Sequence, residues 1–413
     1  MPFIGRVGFD PEVSIISTKT GLGRSAHTFV KELKQFTFYR DGDKGKLSGQ
    51  LGSEYERDGA AIEVRSVVPS ACRDNVIPYL AEALRQANLD MRKALGNDFV
   101  LSCAPKYVLD EVSLKNPPKD VVEFGCRPDI DAYALNAKDP VCEPEDRRRW
   151  TGGHIHASRV QAARNVEQQA AWAILFDYTV VAPFVAILGE KFAEGEAERR
   201  TMYGQPGSFR YDDELDKIEF RTLSGRMLLS PTLVYWVMGA MKSMFSQTSD
   251  PMALVRNLTK KIPSEQVFSA IEEHNVSLAE EITSKVFQLL PNYAPNSSDL
   301  ANPMTGGGAG TRNPYFFEQA AKVFIEANHA GLTYRDDVEF NWGLYDSYEP
   351  KHHAYWGIQQ AMVGLLDEDI FPQRQILGKV WPKQHVQSVA MWTHPQNGGE
   401  QKYVTPGAIG WLR

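Results

Sequence analysis

Residues 151–158 read TGGHIHAS and residues 217–223 read KIEFRTL. In both stretches polar side chains alternate with apolar ones, and the polar ones are His154, His156, Glu219 and Arg221. Residues two apart in a β-strand project from the same face of the sheet. The two stretches therefore predict strands with one polar face and one apolar face, the latter carrying Ile155 and Phe220.

Two earlier stretches have the same spacing. Residues 6–17 (RVGFDPEVSIIS) and 60–68 (AAIEVRSVV) are rich in β-branched residues and predict strands. Their polar pairs are Asp10 with Glu12 and Glu63 with Arg65. Because proline is disfavoured in the interior of a central strand, Pro11 predicts that the first pair lies at a strand start or a bulge.

Each pair also has an ordinary structural interpretation. A Glu-x-Arg pair is most often a solvated face or a cross-strand salt bridge. A His-x-His pair is either two zinc ligands or one ligand beside a structural histidine. Four such pairs in one half of the chain, two of them flanked by glycine, favour one shared functional face. A face that gathers Asp, Glu, His and Arg can hold divalent metals and bind phosphate oxygens.

The composition indicates a soluble globular protein. The chain has 413 residues, of which 43% are hydrophobic and 23% charged, which excludes disorder, collagen and coiled coil as the main architecture. A net charge of −7 argues against a protein that coats nucleic acid. Four scattered cysteines and an N-terminus without a signal-peptide core predict a reducing cytoplasm.

One run is long and apolar enough to raise the question of a membrane span. Residues 170–188 read AAWAILFDYTVVAPFVAIL, which reaches the spanning threshold of roughly 18 residues. Asp177 lies in the middle of this run and Pro183 interrupts it, and a charge at mid-bilayer is costly. We therefore expect a buried helix in a large core and no membrane partner.

The character of the chain changes near residue 230. Before it, the strand-like runs include residues 121–126 (VVEFGC), and residues 72–95 have helical periodicity. After it, residues 231–245, 264–290 and 315–330 predict helices. Residues 292–314 form a Pro/Gly/Asn-rich stretch, whose glycine run is interpreted as a mobile loop or a lid. The predicted domains are 1–230, a catalytic core, and 231–413, a mainly helical region that shapes substrate choice.

The order of motifs resembles a known family. The segments GFDPE, DGAAIEVR, FGCRPD, TGGHIHAS, ERRTMYGQPGSFR and KIEFRTLS resemble the phage-type carboxylate–amine ligases, a branch of the glutamine synthetase superfamily, over roughly residues 5–230. Three local likenesses to glutamine synthetase accompany this order. Asp10-x-Glu12 resembles the early Glu-x-Glu metal pair of glutamine synthetase, with Asp in place of the first Glu. His154-x-His156-x-Ser158 resembles its His-x-His-x-Ser run. Glu219-x-Arg221 resembles its late Glu-x-Arg.

The resemblance implies an α+β fold, with a curved antiparallel sheet, helices on its convex face and the active site in its concavity. It also implies a reaction in which ATP phosphorylates a carboxylate and an amine then displaces phosphate from the acyl phosphate. Phosphoryl transfer depends on charge neutralisation more than on covalent help, so Mg²⁺ or Mn²⁺ is the expected cofactor beside ATP.

The resemblance also assigns roles to residues. The implied metal ligands are Asp10, Glu12, Glu63, His154 and Glu219. The implied catalytic residues are Arg221, His156 and Glu63. The implied nucleotide-binding residues are Arg199, Arg200, Arg210, His156 and Ser158. Asp129 belongs to the motif FGCRPD, where a loop N-cap is as good an interpretation as a substrate contact.

Two other functions stay open at this point. One is a metal-dependent hydrolase that uses His154 and His156 without nucleotide, and the other is a catalytically inactive viral binding or structural module. For the ligase, the candidate acids and amines are amino acids, a peptide terminus, a protein side chain and a modified nucleobase. An oligomer is compatible with the sequence, and the expected location is the cytoplasm of a phage-infected bacterium.

Overall fold

The protein is a mixed α+β structure built on one large antiparallel sheet. The computed structural model describes residues 6–290, except 33, 40–49, 67–72, 123–128, 139–145, 159–164, 213–216 and 230, together with residues 338 and 342. The predicted helix at 315–330 and the predicted loop at 292–314 lie outside the described residues.

Thirteen strands are seen in the described part of the chain. They are β1 (Arg6–Ser17), β2 (Gly23–Arg24), β3 (Lys34–Tyr39), β4 (Gln50–Asp58), β5 (Ala61–Ser66), β6 (Phe99–Ser102), β7 (Lys106–Val108), β8 (Asp129–Asp131), β9 (Asn136–Lys138), β10 (Arg148–Trp150), β11 (Gly153–Ser158), β12 (Ser208–Asp212) and β13 (Lys217–Phe220). The main sheet has the order β3-β4-β5-β1-β11-β13-β12-β8-β9, and β2 and β6 also pair with β1. Strands β7 and β10 form a separate two-stranded sheet.

Nine α-helices accompany these strands in the described residues. They are α1 (Arg73–Leu95), α2 (Lys119–Val122), α3 (Val166–Phe176), α4 (Ala182–Leu188), α5 (Glu196–Met202), α6 (Pro231–Ser246), α7 (Pro251–Thr259), α8 (Ser264–Glu272) and α9 (Val276–Leu289). Helix α1 packs on β4 and β5, and α3 packs on β12 and β13.

The predicted alternation of polar and apolar residues is confirmed in the central strands. Ile62 on β5, Ile155 on β11 and Phe220 on β13 are fully or almost fully buried in the main hydrophobic core. Alternate side chains of each strand project from opposite faces. The polar pairs of these strands therefore lie on the face opposite to helices α1 and α3.

Pro11 lies inside the 12-residue strand β1 and not at its start. Strand β1 pairs with β11 through residues Arg6 to Pro11, and with β5 through Glu12 and Val13. The proline is thus placed where the strand changes partners, which is where a missing backbone donor disrupts the ladder least.

The apolar run is confirmed as a buried helix. A helix of 23 residues spans Val166–Leu188, and 94% of its most hydrophobic window is buried inside the protein. Its middle is a π-helical segment, Asp177–Val181, in which the backbone N–H of Ala182 donates to the carbonyl of Asp177. Pro183 is the second residue after this segment and the second residue of α4, where the irregular turn tolerates its missing N–H.

Two predicted elements are wrong. The strand predicted at 121–126 begins as the end of helix α2, and its last four residues lie outside the described part of the chain. The single helix predicted at 264–290 is two helices, because the chain turns at His274, where φ is +52°. The side chain of Asn275 then caps α9 by accepting a hydrogen bond from the N–H of Leu278.

The helices after residue 230 share the hydrophobic core of the sheet. A single cluster of buried apolar residues includes strand residues such as Phe9 and Ile155 and helix residues such as Trp236, Ile271 and Val286. The change in composition near residue 230 therefore does not separate two hydrophobic cores among the described residues.

Candidate active site

Charged side chains cross the polar face of the main sheet, and we call this set the charged strip. It comprises Glu63, Asp10, Glu12, His154, His156, Glu219, Arg210 and Asp129, on strands β5, β1, β11, β13, β12 and β8, and Arg221 directly after β13. The strand order therefore brings together eight of the site residues predicted from the sequence, which lie far apart along the chain, and adds Asp129.

The register of the strands explains this gathering. His156, Glu219 and Arg210 are direct partners across three neighbouring strands. Glu12 on β1 lies directly opposite Glu63 on β5. Because like charges opposite each other in a sheet are destabilising, the Glu12–Glu63 pair marks a place where a cation would relieve repulsion.

Two glycines allow β11 to enter the strip. A side chain at Gly152 would collide with the imidazole of His154, and one at Gly153 would collide with the backbone of Ser224. The glycines of TGGHIHAS thus let the His154 ring fold back against its own strand and let the segment after β13 approach it. Any larger residue at 152 displaces the ring.

Arg221 is the most completely held side chain of the strip. It is 1% exposed, and its Nε atom lies 2.9 Å from Oδ1 of Asp129. Its Nη2 atom donates to the hydroxyl of Tyr203 at 2.7 Å, and Nη1 donates to the carboxylate of Glu219. A planar guanidinium held by three partners has a defined orientation, which a loosely held cation lacks.

The partners of His154 determine its tautomer. Nη1 of Arg221 lies 3.4 Å from Nδ1 of His154, and a guanidinium has no acceptor. Nδ1 is therefore the acceptor, and the ring proton lies on Nε2, which donates to the hydroxyl of Tyr203. Burial, with the nearby charges of Arg221 and Arg199, holds the pKa of His154 well below its usual value. The ring is neutral, and the lone pair on Nδ1 faces the strip.

Glu12 is a buried carboxyl group beside this ring. Its Oε2 accepts a hydrogen bond of 2.8 Å from the N–H of Gly152. Burial, followed by the negative charge of Asp58, raises the pKa of Glu12 to about 8, against the opposing hydrogen bond from Gly152 and the charge of Arg221. Burial and the neighbouring Asp10 and Asp58 likewise raise the pKa of Glu63 well above its usual value. This half of the strip is rich in carboxyl groups, and without a cation Glu12 and Glu63 retain their protons to a higher pH than usual.

Asp10 is held differently. Its Oδ2 lies 2.5 Å from Nε2 of His156. Burial acts to raise the pKa of Asp10, but the charge and hydrogen bond of His156, with smaller contributions from Arg221 and Lys217, bring it below its usual value. Asp10 is therefore an ionised partner that orients the His156 ring.

The predicted metal ligands are only partly brought together. In the described part of the chain, no three His, Cys, Asp or Glu side chains form a ready-made metal-binding group. Nδ1 of His154 lies 4.0 Å from Oε1 of Glu12 and 3.8 Å from Oε1 of Glu219. Two ligands that are each roughly 2.0–2.2 Å from one ion lie roughly 3–4.4 Å apart, depending on the angle between them. The separations therefore suit a cation between His154 and each carboxylate, in the place where Nη1 of Arg221 now contacts His154 and Glu219.

The other two predicted ligands are engaged elsewhere. The carboxylate of Asp10 pairs with His156, and that of Glu63 accepts a hydrogen bond of 2.7 Å from Nη1 of Arg65. Glu63 nevertheless remains next to Glu12 on the same face, whereas Asp10, although opposite His154 in the register, is paired with His156.

The arginines predicted to bind nucleotide divide into two groups. Arg210 belongs to the strip, with Nη2 at 3.0 Å from Oδ1 of Asp129. Arg199 and Arg200 are fully buried. Arg199 donates to the backbone carbonyls of Thr151, Thr222 and Leu223, so it ties the start of β11 to the segment after β13.

Arg200 is equally enclosed. It pairs with Glu196 at 3.0 Å and donates to the carbonyl of Ile271 on α8. These contacts do not support the predicted nucleotide contacts of Arg199 and Arg200, and both arginines are reassigned to structural roles. The segment around them is rich in Glu and Arg, a composition typical of an exposed helix, yet both guanidinium groups are buried.

Ser158 and Lys217 lie beside the strip, two residues from His156 and Glu219 on the same face of their strands. They are partners in the register of β11 and β13, and both are half-buried. Ser158 therefore lies close to a cationic side chain, as a residue that contacts phosphate would. Lys217 was not among the residues predicted from the sequence, although it is the first residue of KIEFRTL and has the same strand parity as Glu219.

Tyr203 is the main residue that the sequence reasoning missed. It follows helix α5 and contacts both His154 and Arg221. The ring of Tyr203 also lies 5.0 Å from the guanidinium carbon of Arg221 and 4.8 Å from that of Arg199. No spacing rule points to Tyr203, because it approaches the strip from outside the sheet; only its place in ERRTMYGQPGSFR pointed to the region.

Comparison of the sequence with protein-family models and with curated proteins gave no match. The functional assignment therefore depends on the residues of the strip and on the resemblance of the motifs.

Proposed function

We propose that the protein is an ATP-dependent ligase that joins a carboxylate to an amine through an acyl phosphate. The observation that carries this proposal is the buried Arg221, held by Asp129, Glu219 and Tyr203 beside the neutral ring of His154. A fixed guanidinium next to carboxylates and a neutral imidazole combines phosphate recognition with cation binding. The large antiparallel sheet with helices on one face is compatible with a glutamine synthetase-like fold, which is part of the proposal.

The distribution of charge along the strip supports two functions for its two halves. Arg210, Arg221 and Lys217 lie on or beside β12 and β13, where they would bind phosphate oxygens or the substrate carboxylate. Glu12 and Glu63 lie on β1 and β5, where a bound cation would displace their protons and pair with the ionised carboxylates. A phosphoryl group and its counter-ion both need such sites, because the reaction spreads charge over the transferred oxygens.

Mg²⁺ or Mn²⁺ fits the donor types of His154, Glu12 and Glu219, with Glu63 adjacent. When bound, the ion would neutralise the phosphate oxygens of ATP. The proton on Nε2 of His154 and its acceptor Tyr203 leave Nδ1 as the atom that would bind the ion, in place of its contact with Nη1 of Arg221. Second-sphere partners of this kind are a general feature of histidine ligands.

His156 is proposed to act beside the phosphates. Its ring is oriented by Asp10, and its strand partner is Glu219. Ser158, two residues further on the same face, extends the same side of the strand. These positions suit contacts with the nucleotide rather than with the metal.

The experiment is a turnover assay on the full chain with ATP, Mg²⁺ and matched panels of carboxylates and amines, including amino acids, peptides and modified nucleobases. We expect release of ADP that requires a carboxylate and an amine together and stops in chelator. Cleavage of a substrate without nucleotide would instead assign a metal-dependent hydrolase. Absence of both ATP binding and turnover would assign a binding or structural module.

A further inference from the structure

A cavity lies beside the charged strip, on the same face of the sheet. Its volume is about 390 Å³, within the range of roughly 300–1,000 Å³ that is typical of small-molecule sites. It is lined at one end of β1 by Ile16, and by Ser102 of β6 and Tyr107 of β7. Ile16 is four residues from Glu12 along β1, and an even spacing puts both side chains on the same face of the strand. The two positions are roughly 13 Å apart.

Two contacts join this cavity to the strip. Gly225 packs so closely on the backbone carbonyl of Glu12 that a Cβ atom would not fit between them, and the next residue, Arg226, lines the cavity. Tyr107 is 4% exposed, and the charge of Glu12 is second only to burial among the causes that raise the pKa of its hydroxyl. The cavity is therefore a neighbour of the strip and not a remote surface pocket.

The lining combines balanced charge with an apolar wall. Arg226 is 6% exposed, and its guanidinium carbon lies 5.2 Å from the centre of the Phe192 ring. Lys106 forms an ion pair of 2.5 Å with Glu198, and Glu194 lies exposed at the rim. Two cations and two carboxylates give no net charge. Such a lining disfavours a polyphosphate, which instead matches the cationic half of the strip.

We propose that this cavity binds a small zwitterion of the α-amino-acid type. The carboxylate would pair with the edge of the Arg226 guanidinium, since stacking on Phe192 uses its flat face. The ammonium group would face Glu194, and an apolar side chain would lie against Ile16, Leu22 and Phe192. That this amino acid is the acid or the amine of the ligation rests on the proposed function, whereas the binding itself does not.

The test is binding to the full chain without ATP. The twenty standard L-amino acids are screened by thermal shift at about 10 mM, above the roughly 1 μM to 1 mM at which enzymes commonly bind metabolites. The best amino acid is then compared by calorimetry with its amide and its N-acetyl derivative. We expect the free amino acid to bind, and each derivative, which lacks one charge, to bind at least tenfold more weakly. No binding by any free amino acid, or equal binding of the derivatives, would overturn the proposal.

Variants locate the site. Glu194→Gln is expected to lower the affinity for the amino acid at least tenfold. Glu111→Gln, at an exposed glutamate outside the cavity, should leave that affinity unchanged. Ala104→Leu fills the cavity without removing a charge and should also weaken binding. Retention of full affinity in both Glu194→Gln and Ala104→Leu would place the amino acid elsewhere.

A competition experiment separates this inference from the proposed function. Mg²⁺-ATP is expected to leave the affinity for the amino acid within about twofold or to strengthen it. Displacement of the amino acid by ATP would show that the cavity is the nucleotide site, which overturns the inference. Amino-acid binding in a protein that does not bind ATP would overturn the ligase but not the cavity.

Discussion

At the scale of single residues, Arg221 illustrates how burial turns an ordinary strand pair into a candidate functional group. Glu219 and Arg221 are two apart and contact each other, as the strand spacing predicted. What the spacing did not reveal is that Asp129 and Tyr203 complete the environment of the guanidinium. The side chain is therefore both a structural tie and the proposed phosphate ligand, and its substitutions should affect stability and turnover together.

Arg221→Lys retains the charge but loses the planar fork that contacts Asp129 and Tyr203. We expect turnover to fall by at least 100-fold and the free energy of unfolding to fall by about 2 kcal/mol, the usual scale for hydrogen bonds to a charged group. Urea unfolding and ADP release measure the two effects. Arg148→Lys, at a half-exposed arginine paired with Asp146 and Glu198, is the matched control. Normal turnover in Arg221→Lys would make the arginine purely structural.

Tyr203→Phe removes the hydroxyl that accepts hydrogen bonds from His154 and Arg221. We expect the affinity for Mg²⁺-ATP to fall by roughly 10–100-fold, the usual effect of losing an outer-sphere partner of a metal ligand. Tyr178→Phe is the control, because its hydroxyl donates to the buried carbonyl of Ile262, away from the strip. If calorimetry gives equal affinities for the two variants, Tyr203 has no role in positioning His154.

Glu12 should make the protein without metal less stable as pH rises. Its folded pKa of about 8 lies above its ordinary value of 4.5, so the folded state retains a proton that the unfolded state releases. Its contribution is full below pH 4.5 and is lost between pH 4.5 and 8, with a slope of up to about 1.4 kcal/mol per pH unit. The lowered pKa of His154 makes the free energy of unfolding rise with pH, but only around and below pH 6.5.

Urea unfolding between pH 7 and 8, in chelator, isolates this effect. Asp177 also has a pKa raised to about 8 by burial, so the wild-type slope alone does not identify Glu12. The slope should be shallower in Glu12→Gln than in the wild type, and Mg²⁺-ATP should flatten the wild-type slope. Identical slopes in wild type and Glu12→Gln would contradict the assignment of the raised pKa.

At the scale of elements, the four strands β1, β5, β11 and β13 and the facing of their side chains were predictable from the sequence. Alternation is local, so stretches such as GHIHAS and KIEF reveal which residues share a face without any knowledge of neighbours. Strand pairing is not local. That β1 is central, with Glu12 opposite Glu63 and Asp10 opposite His154, depends on contacts between distant segments, which no local pattern reveals.

The misassigned elements have physical reasons as well. Arg199 and Arg200 lie in a segment whose charge suggests solvent, yet in the interior backbone carbonyls bind the guanidinium of Arg199, and Glu196 and the carbonyl of Ile271 bind that of Arg200. The helix break at His274 requires a left-handed backbone conformation. Glycine is the usual sequence signal for that conformation, and there is no glycine at this position. Asn275 was the readable signal, since asparagine is a favoured helix N-cap.

The element that presents His154 depends on Gly152. Gly152→Ala places a methyl group where the His154 ring lies, and we expect a loss of about 1–3 kcal/mol in the free energy of unfolding and weaker binding of Mg²⁺-ATP. Gly96→Ala is the control, because Gly96 has φ +84° and open space around its Cα. Gly96→Ala should lower the free energy of unfolding through backbone strain without changing the affinity for Mg²⁺-ATP. Unchanged Mg²⁺-ATP binding in Gly152→Ala would show that the ring tolerates displacement.

At the scale of the whole molecule, one hydrophobic core packs against the face of the sheet opposite to the charged strip. Strand residues and helices α6–α9 contribute to the same cluster, so the strip is carried on a scaffold that includes residues beyond 230. The net charge of −7 is compatible with binding an anionic nucleotide, because Arg210, Arg221 and Lys217 concentrate positive charge on one part of the sheet. The cavity beside the strip adds a charge-balanced compartment on the same face.

The central claim is that the charged strip binds ATP together with a divalent cation. Calorimetric titration of ATP into the full chain, in Mg²⁺ and in chelator, tests it without knowledge of the acid or the amine. We predict binding in Mg²⁺ that weakens at least tenfold in chelator, and a comparable loss in Glu12→Gln even when Mg²⁺ is present. Equal affinity for ATP with and without divalent cation, in both wild type and Glu12→Gln, would contradict the account.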